Sequence, residues 1–154
     1  MNSRIILMLV AIGLAAGTTK PSLLSNAKDM KLNAGIITSN LQQTKSFYTT
    51  LLGFTVVFEN EWYILLQSPG GTDQLSFLLP GQEHQQPLFR EEFNGKGVYL
   101  TIEVDNVDEV YQQLQARGVK MAVSLRNEPW GDRHFAIVDP NGIGVDIVTY
   151  QSPG

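Results

Sequence analysis

The residues in this sequence best suited to acid–base or metal chemistry are its two histidines, His84 and His134. The chain contains no cysteine, which excludes a thiol nucleophile, disulfide bonds, zinc ribbons and iron–sulfur clusters. Two histidines are also too few for a metal site built mainly from imidazole groups. His134 lies between Arg133 and Phe135 in a β-rich run. Its imidazole is therefore a candidate general base or single metal ligand, or alternatively a packing residue at the rim of a sheet.

Composition limits the kinds of partner that the chain can bind. The chain has 154 residues, of which 43% are hydrophobic and 17% charged, so its length and composition predict one folded domain with a substantial core. The formal net charge is -4, which argues against a nucleic-acid binder because such proteins present a basic face to phosphates. A neutral or cationic small molecule is compatible with this charge.

The first 30 residues are distinct from the rest of the chain. Arg4 precedes an apolar or Gly-containing run, 5–16, which is too short to span a bilayer as a helix, since that needs ~20 residues. A positive charge, a short apolar run and then small residues are typical of a secretory signal, with cleavage after Gly17 or Ala27. We therefore expect export to the periplasm if the leader is processed. The alternatives are a cloning artefact or a buried N-terminal helix in a cytoplasmic protein.

The remaining sequence contains two copies of one pattern, about 66 residues apart. Each copy has an Asn that can cap a helix, a Gln or Glu three residues later, apolar residues at helical spacing and a Gly that can end the helix. The corresponding residues are Asn40, Gln43 and Gly53 in the first copy, and Asn106, Glu109 and Gly118 in the second.

A β-rich run precedes each predicted helix and three predicted strands follow it, so each copy is predicted to be a βαβββ module of an α+β fold. The strands that follow the helices are 55–59, 62–67 and 73–79 in the first copy, and 120–125, 133–138 and 144–150 in the second. Module one spans 31–79 and module two spans 97–151. The connector, 80–96, is predicted to be a solvated linker, with a lid or a dimer arm as the alternative.

Three segments of the chain resemble the vicinal oxygen chelate superfamily, the group of glyoxalase I, bleomycin-resistance proteins and extradiol dioxygenases. They are Phe47-Tyr48, Leu51–Phe54, and Asp139-Pro140-Asn141-Gly142 before the last strand. The segment Glu128–Phe135 is similar to one found in the bleomycin-resistance-like branch. The resemblance covers about residues 31–150. It implies that the two modules form curved mixed sheets around a cup, and that the protein is a homodimer.

Catalytic members of this superfamily hold a divalent metal with about four side chains on the first and last strands of the modules. Those positions correspond to Asn33, Ser76 (or Gln74), Tyr99 and Asp146. Only Asp146 is a strong ligand among them, because the hydroxyl groups of Tyr99 and Ser76 stay protonated at neutral pH. The sequence therefore predicts neither a bound metal nor any other cofactor.

The resemblance also implies that one face of each sheet lines the cup and binds a small organic molecule. Aromatic area and a few acidic groups would favour a cationic ligand. If Asp146 is instead structural, the expected partner of its carboxylate is Arg133. The candidate ligand-binding residues are Trp62, Phe77, Tyr99, Glu103, Trp130, Arg133, His134, Phe135 and Asp146.

These features favour a metal-independent binding protein, similar to proteins of antibiotic resistance, over an enzyme. One alternative is a metal-dependent lyase or dioxygenase of the same superfamily. The other is a dimeric interaction module whose pocket is vestigial.

Overall fold

The computed structural model describes residues 31–150, so the predicted leader and linker, 1–30, lie outside the described residues. No helix within residues 31–150 has both the length and the apolar character needed to cross a bilayer. The elements, in chain order, are β1 (Asn33–Ile37), α1 (Leu41–Ser46), which continues as a π-helical turn (Phe47–Leu51), β2 (Thr55–Glu59), β3 (Tyr63–Gln67), β4 (Gln74–Leu78), a 3-10 turn (Pro87–Phe89), β5 (Tyr99–Glu103), α2 (Val107–Ala116), β6 (Val123–Asn127), β7 (Asp132–Val138) and β8 (Gly144–Tyr150).

These elements form two four-stranded mixed sheets with the same topology, β1-β4-β3-β2 and β5-β8-β7-β6. In each sheet the first and last strands of a module pair in parallel, and the other neighbours are antiparallel. A parallel pair needs a long crossover, and in each module the helix and two strands provide it. The structure thus confirms the predicted α+β fold of two βαβββ modules.

Both helices end at the predicted glycines, but only α2 begins with the predicted side-chain cap. Gly53 and Gly118 have φ angles of 71° and 76°, the left-handed conformation that ends a helix at little cost for glycine. The side chain of Asn106 caps α2 by accepting a hydrogen bond from the backbone N–H of Glu109. The predicted cap of α1 is wrong, because the side-chain amide of Asn40 donates instead to the carbonyl oxygen of Pro140 in module two.

Each module contributes a hydrophobic core between its sheet and its helix, and the two cores adjoin. Phe47, Leu52 and Ile102 pack against both cores. The fully buried side chains include Tyr48, Ile64, Leu66 and Phe77 in the first core, and Val107, Leu114, Phe135, Ile137 and Val145 in the second. Within residues 31–150, no helix packs on the opposite face of either sheet, and we call that face the open face of its module.

The connector is a folded loop with a largely exposed surface. The guanidinium group of Arg90 donates hydrogen bonds of 2.7 Å to the carbonyl oxygens of Glu83 and Gln85. The backbone N–H of Phe93 donates to the carbonyl oxygen of Ile37 at the edge of β1. The connector is therefore largely exposed in the single chain, and these hydrogen bonds hold it in a defined shape.

Candidate functional site

The open face of module two brings together most of the polar residues that the sequence singled out. Strand alternation places Tyr99, Thr101 and Glu103 of β5 on this face. Asp146 of β8 lies beside Thr101, because these two residues are register partners. His134 of β7 lies on the same face, diagonal to Asp146.

His134 lies between two carboxylates. Its Nδ1 atom is 2.6 Å from Oδ1 of Asp146, and its Nε2 atom is 3.2 Å from Oε1 of Glu128. Glu128 also accepts a 2.7 Å ion pair from Nε of Arg126. Partial burial alone would lower the pKa of His134, but the hydrogen bonds and charges of Asp146 and Glu128 together raise it above its ordinary value. The arrangement favours an imidazolium ion whose two N–H groups are both engaged.

This geometry bears on the chemistry predicted for His134. A general base needs a ring nitrogen that can reach a substrate proton. Both ring nitrogens of His134 already contact carboxylates, so the side chain is arranged to hold two acidic groups in place. Glu128 was quoted within a sequence motif but was not singled out as a site residue. Glu128 contacts His134 because the turn between β6 and β7 brings the two residues together, and no local sequence pattern predicts this contact.

Arg133 does not belong to the open face. Its guanidinium group forms two hydrogen bonds with the carboxylate of Asp108 on α2, at 2.6 and 2.5 Å, and a third with Asn127. The Arg133 guanidinium holds the pKa of Asp108 below its ordinary value. The expectation that Arg133 pairs with Asp146 if that carboxylate is structural is therefore wrong, since the partner of Asp146 is His134. Adjacent strand residues point to opposite faces, which separates Arg133 from His134.

Two predicted aromatic residues do not line a binding surface either. Phe77 and Phe135 are both 0% exposed and lie in the cores of modules one and two. Their strands place them on the faces covered by the helices, so both side chains pack in the cores and are not accessible to a ligand on the open faces. Phe135 follows His134 directly in β7, so strand alternation predicts that only one of these two side chains can face a ligand.

The two tryptophans lie in different modules. Trp130 is 69% exposed in the turn before β7, and its indole N–H donates a 2.9 Å hydrogen bond to Asp132. Trp62 of module one is half-buried, and the ring of His84 in the connector packs against it with a centroid distance of 4.5 Å. Of the two, Trp130 offers the larger aromatic surface to a ligand.

The open face of module one includes residues that the sequence did not single out. Ile64 and Leu66 of β3 face the core, so Tyr63 and Leu65 face the other way. Phe58 of β2, which packs near the ring of Tyr63, is 52% exposed. The sequence signal for this apolar surface is the alternation of Tyr63 and Leu65 with the core residues Ile64 and Leu66.

The positions corresponding to metal ligands in the superfamily do not form a suitable donor set. The hydroxyl group of Ser76 donates a 3.2 Å hydrogen bond to Oδ1 of Asn33, so these two neutral groups satisfy each other. The carboxylate of Asp146 contacts His134, and Tyr99 offers only a phenolic hydroxyl group, which is not a favoured metal donor. Within residues 31–150, no three His, Asp or Glu side chains are grouped so that they could hold a metal ion.

Comparisons with known proteins agree with this architecture. A family model described as the Glyoxalase/Bleomycin resistance protein/Dioxygenase superfamily matches residues 32–147. A Bleomycin resistance protein from Geobacillus stearothermophilus is 26% identical over 109 residues, which cover 66% of this chain and 83% of that protein. The same identity and coverage apply to a Bleomycin resistance protein from Staphylococcus aureus (strain N315).

Solved structures share the fold. A glyoxalase/bleomycin resistance protein/dioxygenase from Nocardioides is similar with a TM-score of 0.67 at 22% identity, over 82% of this chain and 87% of that chain. TnmS3, an antibiotic binding protein from Streptomyces sp. CB03234, is similar with a TM-score of 0.64 at 22% identity, over 81% of this chain and 98% of that chain.

Proposed function

The chain belongs to the Glyoxalase/Bleomycin resistance protein/Dioxygenase superfamily, and from this premise we propose that it binds and sequesters a small organic molecule without a metal. The observation that carries the proposal is the 2.6 Å contact between His134 and Asp146. It engages the one strong metal donor among the four positions at which catalytic members hold their ion. It also leaves an acidic, partly exposed surface on the open face of module two.

The charges on this surface favour a ligand with a cationic group. Asp146, Glu128 and Glu103 contribute three negative charges, whereas Arg126 and protonated His134 contribute two positive charges. Tyr99, which is 68% exposed on the same face, and Trp130, which is 69% exposed in the turn before β7, add accessible aromatic rings. Aromatic rings attract cations and provide apolar contact area, so together they suit a drug-like molecule that carries a positive charge.

The relatives support the same class of ligand. The matched curated proteins are named for resistance to bleomycin, and the match covers most of their length. TnmS3 has the same fold and is described as an antibiotic binding protein. We therefore propose an antibiotic or a similar cationic metabolite as the kind of molecule that this chain sequesters.

We also propose that the protein acts as a homodimer. Three consecutive residues of the edge strand β2, Val56, Val57 and Phe58, are all exposed. Apolar side chains at a sheet edge invite pairing with another chain unless they are covered. A second copy that covers them would also help to enclose the open faces.

Export through the N-terminal segment remains a proposal from sequence. If the leader is processed, the mature chain begins at Thr18 or Lys28, and the ligand is met outside the cytoplasm. Intact-mass measurement of protein expressed with its native leader decides between these ends. A full-length product in the cytoplasm would contradict export.

The experiment that tests the proposed function combines metal analysis with ligand binding. Protein purified without chelator should contain far less than one equivalent of zinc, nickel, manganese or iron, and should lack glyoxalase activity. Metal-free bleomycin and a panel of cationic antibiotics are then screened by thermal shift in EDTA, because a ligand of the folded state raises its stability. Stoichiometric metal that is lost in Asp146→Ala would overturn the proposal and favour a metal-dependent enzyme.

A further inference from the structure

A second surface with the properties of a binding site lies between the two modules, on the side of β5 away from the His134 cluster. We call it the inter-module groove. One wall is formed by the end of the first helical segment, Leu51–Phe54, and by the β3–β4 turn, 68–73; the other is formed by residues 100–105 and by Val110 of α2. Its volume is about 890 Å³, within the range of about 300–1,000 Å³ that is typical of small-molecule sites.

The floor of the groove is apolar. Leu52, Leu75, Leu100 and Ile102 are partly buried against the first core, and Val110 is partly buried against the second. These side chains belong to the seam between the cores, yet they remain accessible from the groove. A ligand that covered them would remove apolar area from water, which is the main source of affinity for small molecules.

The rim of the groove is acidic. It carries the carboxylates of Asp73, Glu103 and Asp105, and none of the described residues lining it is Lys, Arg or His. None of the three forms an ion pair with another described residue. Negative charge of one sign above apolar walls concentrates cations, because low-dielectric walls focus the field.

From this combination we infer that the inter-module groove is a site for lipophilic cations, separate from the open face of module two. The groove and that face share Glu103 and Thr101, because β5 is the edge strand between them. The groove contains neither His134, Asp146 nor Trp130. This inference does not rest on the function proposed for the open face, since the groove has its own apolar floor and two carboxylates, Asp73 and Asp105, that the open face lacks.

The test uses two probes of matched shape and opposite charge, tetraphenylphosphonium and tetraphenylborate, titrated into the full chain by isothermal calorimetry. Tetraphenylphosphonium should bind saturably to the groove, and tetraphenylborate should bind about tenfold more weakly or not at all. Asp73→Asn and Asp105→Asn should each weaken tetraphenylphosphonium binding by about threefold or more. The matched control is Glu91→Gln, which removes one exposed negative charge outside the groove and should leave binding unchanged.

Two further variants separate the groove from other sites. Gln113→Trp places a large side chain at the groove from α2 and should abolish binding, whereas Phe89→Ala, in the connector outside the groove, should not affect it. Melting temperatures show whether each variant is folded, and the two Asp→Asn variants keep the test decisive if Gln113→Trp does not fold. Equal binding of both probes, or unchanged tetraphenylphosphonium binding in a folded Gln113→Trp variant and in both Asp→Asn variants, would overturn the inference. A folded Gln113→Trp variant that changes the oligomeric state would instead assign the groove to an interface between copies.

Discussion

The phenolic hydroxyl group of Tyr48 donates a 3.1 Å hydrogen bond to Oδ2 of Asp139, and both side chains are buried. Tyr48 belongs to the first helical segment of module one, and Asp139 begins the Asp-Pro-Asn-Gly turn of module two. Burial, the charge of Asp139 and this hydrogen bond together raise the pKa of Tyr48 far above its ordinary value, so its hydroxyl group stays protonated as a donor. Asp139 also accepts hydrogen bonds from the backbone N–H groups of Asn141 and Ile143. The turn thus fixes one module against the other.

Tyr48→Phe should therefore destabilise the protein while leaving the packing of the ring intact. A hydrogen bond to a charged acceptor contributes about 1.5–3 kcal/mol, and Asp139 keeps its other donors, so we expect a loss of about 1–2 kcal/mol in the free energy of unfolding. Urea denaturation measures this loss. The matched control is Tyr63→Phe, because the hydroxyl group of Tyr63 forms no hydrogen bond within the described residues. Equal stability of the two variants would show that the Tyr48 contact does not contribute.

The fold was predictable because its signals are local. Two helical patterns that end at Gly53 and Gly118, each followed by three β-rich runs, are enough to predict two βαβββ modules. Errors in strand boundaries have local causes too. β6 was predicted at 120–125 but spans Val123–Asn127, where a register shift between Val123 and Arg126 interrupts its pairing with β7. Bulges of this kind leave no clear mark in hydrophobic periodicity.

The site was less predictable because it depends on strand register. Phe135 pairs with Ile147, and this register places His134 and Asp146 on the same face. A slip of one residue would turn Asp146 toward Arg133 instead, because side chains alternate along a strand. The sequence alone cannot choose between these registers. The sequence therefore identified His134 and Asp146, but neither their pairing nor the contact of His134 with Glu128.

The His134 cluster predicts a particular pH dependence of stability. The pKa of His134 is raised in the folded protein above the 6.5 of an unperturbed histidine. A raised pKa contributes stability that is fully present below pH 6.5 and is lost as the pH rises through the folded-state pKa. His134→Gln should thus cost more stability at pH 6 than at pH 9, as measured by urea denaturation.

A double-mutant cycle of His134→Gln with Asp146→Asn isolates this pair from other pH effects. The coupling free energy between the two positions should be favourable at pH 6 and clearly smaller at pH 9, where a neutral ring donates at most one hydrogen bond. A coupling that does not change with pH would show that His134 contacts Asp146 only as a neutral ring.

The proposed homodimer predicts a molecular mass by light scattering of twice that of one chain, which is 17.1 kDa before any processing. Phe58→Asp should shift the equilibrium toward monomer, because it places a charge in the exposed apolar run of β2 that a second copy would cover. Leu88→Asp is the control, since Leu88 is also exposed to solvent, at 81% against 52% for Phe58, but lies in the connector. A monomer at micromolar concentration in the unmodified protein would exclude the dimer.

Trp130 and Asp146 should contribute more to ligand binding than to folding. Trp130 is mostly exposed, so Trp130→Ala should cost well under the about 3–5 kcal/mol that removal of a buried Trp side chain costs. Loss of an aromatic anchor can nevertheless reduce binding by about 2 kcal/mol, or roughly thirtyfold in affinity. Asp146→Asn removes a charge that attracts a cation and should weaken binding of cationic ligands more than neutral ones.

Each variant is assayed by thermal melting and by titration with the antibiotic that raises the melting temperature most. Phe89→Ala, which truncates a half-exposed aromatic residue of the connector, is the matched control and should bind normally. If Trp130→Ala and Asp146→Asn lose several degrees of melting temperature yet bind with unchanged affinity, both residues are structural and the ligand binds elsewhere.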